Sequence, residues 1–178
     1  MEFVEVKDKV FRKFISREQI DQVVQQIADR INTDYADKNP LLLGVLNGAF
    51  VFAADLIRRL RIPCQISFVK YASYVGTRSS EEVKELIGLN EELKGRHVLV
   101  VEDIVDSGTT MDYLLKDIGK YDPASVRLVC FCRKPEAFLK TFKIDYLGME
   151  IPNAFVVGYG LDYDGYGRNL PEIYKLEN

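Results

Sequence analysis

One segment, residues 97–111, constrains the fold of this chain more than any other. It reads H-V-L-V-V-E-D-I-V-D-S-G-T-T-M: an apolar run, two adjacent acids, and a short polar loop before a helical pattern. Short continuous apolar runs are typical of strands that are covered on both faces of a parallel sheet. Open α/β sheets bind ligands beyond the carboxyl ends of such strands. We therefore predict a buried strand that ends at Glu102 and Asp103, beside a binding site.

The rest of the chain alternates helical and strand-like segments. Ser16 and Gln19 predict a capping box at the start of an amphipathic helix over 17–31, and two more helices are predicted. Their ranges are 49–60 and 111–121. Strands are predicted over 41–46, 65–74, 97–102, 125–132, 144–151 and 154–161, with a polar, mobile segment over 77–90. This alternation predicts an α/β fold with a mostly parallel sheet, in one domain that spans residues 1–178.

Composition excludes several classes of protein and of site. The chain is 47% hydrophobic and 29% charged, which is typical of a folded globular protein. Its net charge of −3, without a long basic run, argues against nucleic acid as a partner. A single histidine, His97, excludes sites that need two, so a metal ion would need carboxylate ligands, as Mg²⁺ does. With no apolar stretch of about 18 residues and no signal peptide, we expect no membrane partner and a cytoplasmic location.

The three cysteines, Cys64, Cys130 and Cys132, do not resemble a disulfide framework. Two of them form a C-x-C step in an apolar run, where they are expected to be buried apolar side chains.

The loop after the acid pair has the composition of a phosphate-binding turn. It consists of Asp106, Ser107, Gly108, Thr109 and Thr110, directly before the predicted helix. Backbone amides at a helix N-terminus form a concavity for a phosphate, and hydroxyl groups add donors. The loop is neither a Walker A motif nor G-x-G-x-x-G. An ordinary strand-to-helix turn, with Asp106 or Ser107 as the N-cap, is the alternative.

The segment V-L-V-V-E-D-I-V-D-S-G-T-T resembles the phosphoribosyl pyrophosphate (PRPP) motif of type I phosphoribosyltransferases. Together with F-V-V-G-Y-G-L-D-Y at 155–163, it resembles hypoxanthine–guanine phosphoribosyltransferases, and the likeness runs from LLLGVLNGAF to Arg168. The resemblance implies a twisted sheet flanked by helices, with a small hood formed by the chain termini. It also implies Mg²⁺-dependent transfer of the phosphoribosyl group from PRPP to the 6-oxopurine bases hypoxanthine or guanine. The products would be IMP or GMP and pyrophosphate, and the family generally forms dimers or tetramers.

The resemblance assigns roles to the acids of this segment. Glu102 and Asp103 would address the ribose hydroxyls, Asp103 near the metal ion, and Asp162 would lie near a second metal ion through water. Asp106 would be the catalytic base near the purine N7, within the loop that binds the 5′-phosphate. The alternatives are a solvated strand end for the acid pair and a helix cap for Asp106.

Pyrophosphate would be bound by Leu46, Asn47, Gly48 and Arg168, and the resemblance implies a cis peptide bond between Leu46 and Asn47. Many relatives have Lys in place of Asn47, so one positive charge is missing. Function is expected to survive because the loop acts largely through backbone amides. Without the resemblance, Arg168 would be an exposed arginine with no role.

The purine would be bound by four residues in the resemblance. Phe155 would stack on it, Val156 would bind through its backbone, Asp162 would face C2, and Lys134 would donate to O6, which adenine lacks. The alternatives are a core aromatic for Phe155 and a solvated loop lysine for Lys134.

Ser73 and Tyr74 match the family's flexible loop, so residues 72–86 would order over the substrate. An ordinary exposed hairpin tip is the alternative.

Two other classes of protein remain open on the sequence. A nucleotide- and RNA-binding regulator of the same fold would need a basic face, for which R-R-L-R at 58–61 is the one cluster. A flavodoxin-like binding domain shares the layer order but does not require these motifs to occur together.

Overall fold

The computed structural model describes residues 2–75 and 81–177, with the backbone alone for 72–75 and 81–84. The helices are α1 (Arg17–Asp34), α2 (Phe50–Ile57) and α3 (Thr109–Gly119). The strands are β1 (Phe3–Val6), β2 (Lys9–Ile15), β3 (Leu41–Val45), β4 (Gln65–Val75), β5 (Glu81–Ile87), β6 (His97–Val105), β7 (Ser125–Arg133), β8 (Tyr146–Glu150), β9 (Val156–Val157) and β10 (Ile173–Leu176).

A six-stranded sheet of order β5-β4-β3-β6-β7-β8 forms the centre of the protein. All its neighbouring strands are parallel except β4 and β5, which confirms the predicted α/β class. Side chains alternate between the faces along each strand: Leu42 packs with α1 and α2, whereas Leu41 and Leu43 pack with α3. Helices cover both faces of the sheet. The edge at the carboxyl ends of its parallel strands therefore remains open for a ligand-binding site.

The predicted capping box at the start of α1 is present. The Gln19 amide donates to Ser16 Oγ over 3.3 Å, and the Ser16 amide donates to the Gln19 side chain over 2.9 Å. The helix buries one stripe, which consists of Ile20, Val24, Ile27, Ala28 and Ile31. Its amphipathic spacing therefore places α1 against the sheet, as the sequence predicts.

A second, smaller sheet of order β1-β2-β10-β9 combines the two ends of the chain. This confirms the hood that the resemblance implied. The strand predicted over 154–161 is shorter than expected, because Gly158, Tyr159 and Gly160 have φ angles of 98°, 51° and 97°. A run of positive φ angles ends the extended backbone after Val157.

Two further boundaries differ from the predictions. No strand was predicted over 77–90, yet Glu81–Ile87 form β5, antiparallel to β4, while the mobility of this segment stays a prediction. The central strand β6 runs past its predicted end through Val105, because Ile104 and Val105 stay paired with Cys132 and Arg133 of β7. The acid pair therefore lies within the strand and not at its end.

Cys130 and Cys132 are buried and free, as predicted. Within the described part of the chain, no helix is both long and apolar enough to cross a membrane.

Candidate active site

The loop between β6 and α3 forms one wall of a cavity of about 320 Å³. Gly108 is the N-cap of α3 with a φ of 83°, and no side chain caps the helix there. A Cβ at Gly108 would lie 2.9 Å from the ring of Phe138, so the turn needs glycine for its conformation and for its space. The N-cap residue is therefore Gly108 and not Asp106 or Ser107, although Ser107 Oγ accepts from the Thr109 amide over 3.4 Å. A helix N-terminus whose N-cap residue has no side chain gives this cavity the character of an anion site.

The acid pair lines the same cavity. Asp103 is only 8% exposed, and its Oδ1 accepts from the Ile104 amide over 2.8 Å. Glu102 is partly buried, and its Oε1 accepts from the Asp103 amide over 3.1 Å. Burial raises the pKa of both carboxyls, and the neighbouring Asp103 charge adds to the rise in the Glu102 pKa. A solvated strand end does not describe this pair.

The loop after β3 is held tightly against Asp103. The peptide bond between Leu46 and Asn47 is cis, as the resemblance implied. A Cβ at Gly48 would lie 1.8 Å from Asp103 Oδ2, and a Cβ at Gly160 would lie 2.2 Å from the Gly48 carbonyl oxygen. Side chains at either position would separate the loop from the acid pair. Glycine at both positions is therefore what allows these backbones to meet.

A second cavity of about 270 Å³ adjoins the first. The two cavities share four lining residues: Gly48, Asp103, Ile104 and Asp106. The remaining lining residues of the second cavity are Lys134, Phe155, Val156, Leu161, Asp162 and Arg168. One continuous cleft therefore brings the predicted purine-binding residues next to the phosphate loop.

Lys134 and Asp106 form an ion pair in this cleft. The Lys134 ammonium lies 2.9 Å from Asp106 Oδ1, and Lys134 is only 7% exposed. The position of Lys134 follows from the end of β7, where its amide donates to the Val105 carbonyl over 3.1 Å. Lys134 is thus a buried cation and not a solvated loop lysine.

Arg168 and Asp162 also line the second cavity and pair with each other. Arg168 Nη2 lies 2.6 Å from Asp162 Oδ1, and its Nη1 donates to the Gly160 carbonyl over 2.6 Å. The Gly165 amide donates to the other Asp162 oxygen over 2.7 Å. These bonds fix Arg168 in the cleft, so it is not an unattached surface arginine.

Phe155 lies at the mouth of the second cavity with 45% of its surface exposed. Its ring meets Tyr163 edge to face, with centroids 5.8 Å apart. Phe11 lies on it as well, with centroids 6.2 Å apart, yet Phe155 stays half exposed, unlike the core aromatic that periodicity alone favours.

The acid donors fit a hard divalent cation that also binds a substrate. Within residues 2–75 and 81–177, no three His, Cys, Asp or Glu side chains are arranged to hold a metal ion by themselves. Mg²⁺ is commonly held by one or two carboxylates together with water and substrate phosphates, so a complete protein cage is not needed. Glu102 and Asp103, two carboxylates with raised pKa values in one cavity, supply such a partial set.

The model of the phosphoribosyl transferase domain matches residues 16–164. The chain belongs to the phosphoribosyl transferase family. It is 40% identical over 172 residues to hypoxanthine-guanine phosphoribosyltransferase of Lactococcus lactis, covering 96% of this chain and 93% of that protein. A crystal structure of the Bacillus anthracis hypoxanthine-guanine phosphoribosyltransferase is similar, with a TM-score of 0.87 and 35% identity over 97% of this chain and 99% of that one. Trypanosoma cruzi hypoxanthine phosphoribosyl transferase has a TM-score of 0.88 and 36% identity over 98% of this chain and 95% of that one.

This phosphoribosyl transferase chain brings most of the predicted site residues to one cleft, but not all. Asn47 is exposed and does not line either cavity. Ser73 and Tyr74 lie in β4, and their side chains are outside the described residues. Tyr71, which lines the first cavity, was not predicted, because an aromatic residue in a strand carries no signal of its own.

The basic cluster at 58–61 is matched by acids. Arg59 pairs with Asp21 at 2.7 Å, Arg58 lies 3.5 Å from Asp55, and Arg61 lies 3.5 Å from an Asp29 oxygen. Such a mixed surface does not favour an RNA-binding face.

Proposed function

We propose that this chain transfers the 5-phosphoribosyl group from PRPP to hypoxanthine or guanine, in purine salvage, and yields IMP or GMP and pyrophosphate. The observation that carries the proposal is the shared wall of the two cavities. Asp103 and Asp106 line both the cavity of the phosphate loop and the cavity that contains Phe155 and Lys134. A ribose bound between them would present its anomeric carbon to a purine in the second cavity.

The 5′-phosphate is proposed to bind the loop 106–110. The amides at the start of α3 and the hydroxyls of Ser107, Thr109 and Thr110 supply donors, and Gly108 lets the backbone approach. Glu102 and Asp103 then orient the ribose hydroxyls. Mg²⁺, when bound with PRPP, would screen the pyrophosphate charge, with Glu102, Asp103 and Asp162 as the carboxylates available to hold it.

Asp106 is proposed as the catalytic base. Its carboxylate would take the proton from the purine N7 as the nitrogen attacks, and its charge would stabilise the positive character of the ribose ring. The ion pair with Lys134 keeps Asp106 in place, since Lys134 is buried and has little freedom. The same ammonium has hydrogens left to donate to the purine O6.

The leaving pyrophosphate is proposed to bind the backbone of Leu46, Asn47 and Gly48 together with Arg168. The Arg168 guanidinium is already oriented by Asp162 and by the Gly160 carbonyl. A planar fork with remaining donors suits phosphate oxygens. Asn47 contributes no charge, so Arg168 would supply more of the positive charge that binds pyrophosphate.

Purine selection is proposed to rest on Lys134 and on the half-exposed ring of Phe155. Base stacking on an aromatic side chain contributes about 1–3 kcal/mol and does not distinguish purines. Discrimination then depends on O6, which accepts from Lys134 in hypoxanthine and guanine, whereas adenine presents an amino group there. The Val156 backbone and Asp162 would contact the rest of the base.

Three further features are proposed from the family. The chain would act as a single domain over residues 1–178, with Ser73 and Tyr74 in a segment that covers bound substrate. It would also form a homo-oligomer, a dimer or a tetramer. The work on the T. cruzi protein concerns the role of its C-terminal region in oligomeric state and enzymatic activity. Light scattering of the purified chain would measure the mass directly.

The experiment that tests the function follows IMP formation from PRPP and hypoxanthine with Mg²⁺. We expect product with hypoxanthine and guanine, little with adenine, and none when a chelator removes the metal ion. Asp106→Ala serves as the variant without the base. Tight RNA binding by well-folded protein that forms no IMP would instead identify a regulator of the same fold.

A further inference from the structure

Tyr71 lies where three elements meet at the phosphate cavity. It belongs to β4, lines the cavity of the phosphate loop, and is only 6% exposed. Its hydroxyl lies 2.9 Å from Glu85 Oε2 on β5 and 3.2 Å from Asp117 Oδ2 on α3. One side chain of the sheet therefore contacts both the adjoining strand and the helix whose N-terminus forms the phosphate site.

The contact with Glu85 follows from the pairing of β4 and β5. The register shifts between Lys70 and Tyr71, which places Glu85 directly opposite Tyr71. Directly opposed residues on an antiparallel pair lie close enough for their side chains to interact. Glu85 is exposed, so its carboxylate keeps access to water without this bond.

Tyr71 contacts two successive turns on one face of α3. The Tyr71 ring packs on Tyr113 with centroids 6.0 Å apart, and its hydroxyl meets Asp117, four residues further on. Residues four apart lie on the same face of a helix. The two contacts thus oppose a shift of α3 along its axis.

Asp117 is held in place for this contact. Its side chain is 16% exposed, and its Oδ1 pairs with Lys120 at 2.9 Å, while Oδ2 faces Tyr71. Burial raises the pKa of Tyr71, and the bond to Glu85 adds to the rise, so the hydroxyl stays neutral and acts as a donor. Because the hydroxyl carries one hydrogen, it donates to one carboxylate at a time, and donation to Asp117 is the arrangement that links β4 to α3.

We infer that Tyr71 is a positioning residue, which through Asp117 holds α3 and its phosphate-binding N-terminus in register with Glu102 and Asp103. This role rests on the proposed function, since it acts on the binding of PRPP. Tyr71 acts through α3, whose first residues Thr109 and Thr110 belong to the phosphate loop, and the Asp117 variants below separate this route from direct contact of Tyr71 within the cavity. A small shift of those amides would weaken phosphate binding while the purine cavity stays intact.

The test measures initial rates of pyrophosphate release, varying PRPP and hypoxanthine in turn. Tyr71→Phe removes the hydroxyl and keeps the ring against Tyr113. We expect its KM for PRPP to rise about fivefold, the effect of one lost hydrogen bond, with the KM for hypoxanthine changed less than about twofold. Tyr121→Phe, at an exposed tyrosine beyond α3, should keep the wild-type KM for PRPP.

Two variants on the helix test the same link from its other end. Asp117→Ala removes the acceptor and should raise the KM for PRPP as Tyr71→Phe does, and the double variant should be no worse than either single one. Asp117→Asn retains an acceptor oxygen and should stay near wild type. This pair carries the test even if Tyr71→Phe does not fold.

The outcomes separate the inference from the function. Pyrophosphate release by the wild type together with an unchanged KM for PRPP in Tyr71→Phe and Asp117→Ala would overturn the inference alone. An equal rise in both KM values would do so too, since a general structural role predicts it. No release by the wild type with any 6-oxopurine would overturn the proposed function, and with it this role.

Discussion

The Lys134 ammonium lies 2.9 Å from Asp106 Oδ1, at the junction of the two cavities. The two residues come from different strand ends, Asp106 after β6 and Lys134 after β7, which are parallel neighbours. A group proposed to select the purine therefore also orients the group proposed to take its proton. Substitution at Lys134 is expected to affect both recognition and catalysis.

Lys134→Gln should raise the KM for hypoxanthine about 10- to 100-fold, because a charged hydrogen bond to O6 is replaced by a neutral one. It should also lower kcat, because Asp106 loses its buried partner. Steady-state rates with hypoxanthine and adenine measure both effects. The matched control is Lys143→Gln, since the Lys143 side chain is 82% exposed. Unchanged use of hypoxanthine by Lys134→Gln would contradict the assignment.

Gly48→Ala should abolish activity, with kcat/KM lower by more than about 100-fold. A Cβ at this position would lie 1.8 Å from Asp103 Oδ2, so the loop or the carboxylate must move. Gly119→Ala is the control, because a Cβ there meets nothing within 4 Å. Both variants should fold, as judged by circular dichroism. Wild-type kinetics in Gly48→Ala would show that contact between the loop and Asp103 is not needed.

Glu102→Gln should raise the Tm of the ligand-free protein by about 2–4 °C at pH 7.5 while lowering activity. The pKa of Glu102 lies well above its ordinary value of 4.5, chiefly because of burial and then the Asp103 charge. The folded state therefore binds this proton more tightly than the unfolded chain. The free energy of unfolding then falls as the pH rises from 4.5 towards the raised pKa of Glu102. Glutamine cannot ionise, so it removes the cost of burying a charged carboxylate at this position. The gain in Tm should vanish at pH 4 and below, where Glu102 is mostly protonated in both the folded and the unfolded chain.

Scanning fluorimetry at both pH values measures this difference. Glu136→Gln, at an exposed position, is the control and should show no gain at either pH. A lower Tm for Glu102→Gln at pH 7.5 would contradict the view that the acid pair costs stability in the absence of ligand.

Arg168→Lys should raise the KM for pyrophosphate in the reverse reaction about tenfold. The guanidinium bonds Asp162 and the Gly160 carbonyl with two different nitrogens, and a lysine has no second nitrogen for this fork. Arg58→Lys is the control, because the Arg58 side chain is 78% exposed. Equal KM values for pyrophosphate in wild type and Arg168→Lys would remove Arg168 from the proposed pyrophosphate site.

Local pattern was enough to predict the elements that are continuous in sequence. The capping box at Ser16, the apolar strand at 97–102 and the turn at Gly108 are each determined by neighbours within a few residues. The predicted cis bond at Leu46 and the hood came from the resemblance, because neither leaves a periodic signal. Strand β5 was missed, since its charged residues read as a loop and its strand state depends on pairing with β4.

The pairs within the site could not be predicted for a related reason. Lys134 meets Asp106 across 28 positions, and Tyr71 meets Asp117 across 46. Such contacts depend on the order of strands in the sheet and on the position of α3, which no local composition specifies. Phe155 shows the same limit: its strand suggests a core residue, yet it lies half exposed at the cavity mouth.

The central claim is tested most directly by the products of one reaction mixture. Purified chain with PRPP, hypoxanthine and Mg²⁺ should form IMP and pyrophosphate in equal molar amounts, and should form far less AMP when adenine replaces hypoxanthine. Chromatography and a coupled pyrophosphate assay on the same samples measure both products. Absence of IMP from well-folded protein, or equal rates with adenine and hypoxanthine, would contradict the account.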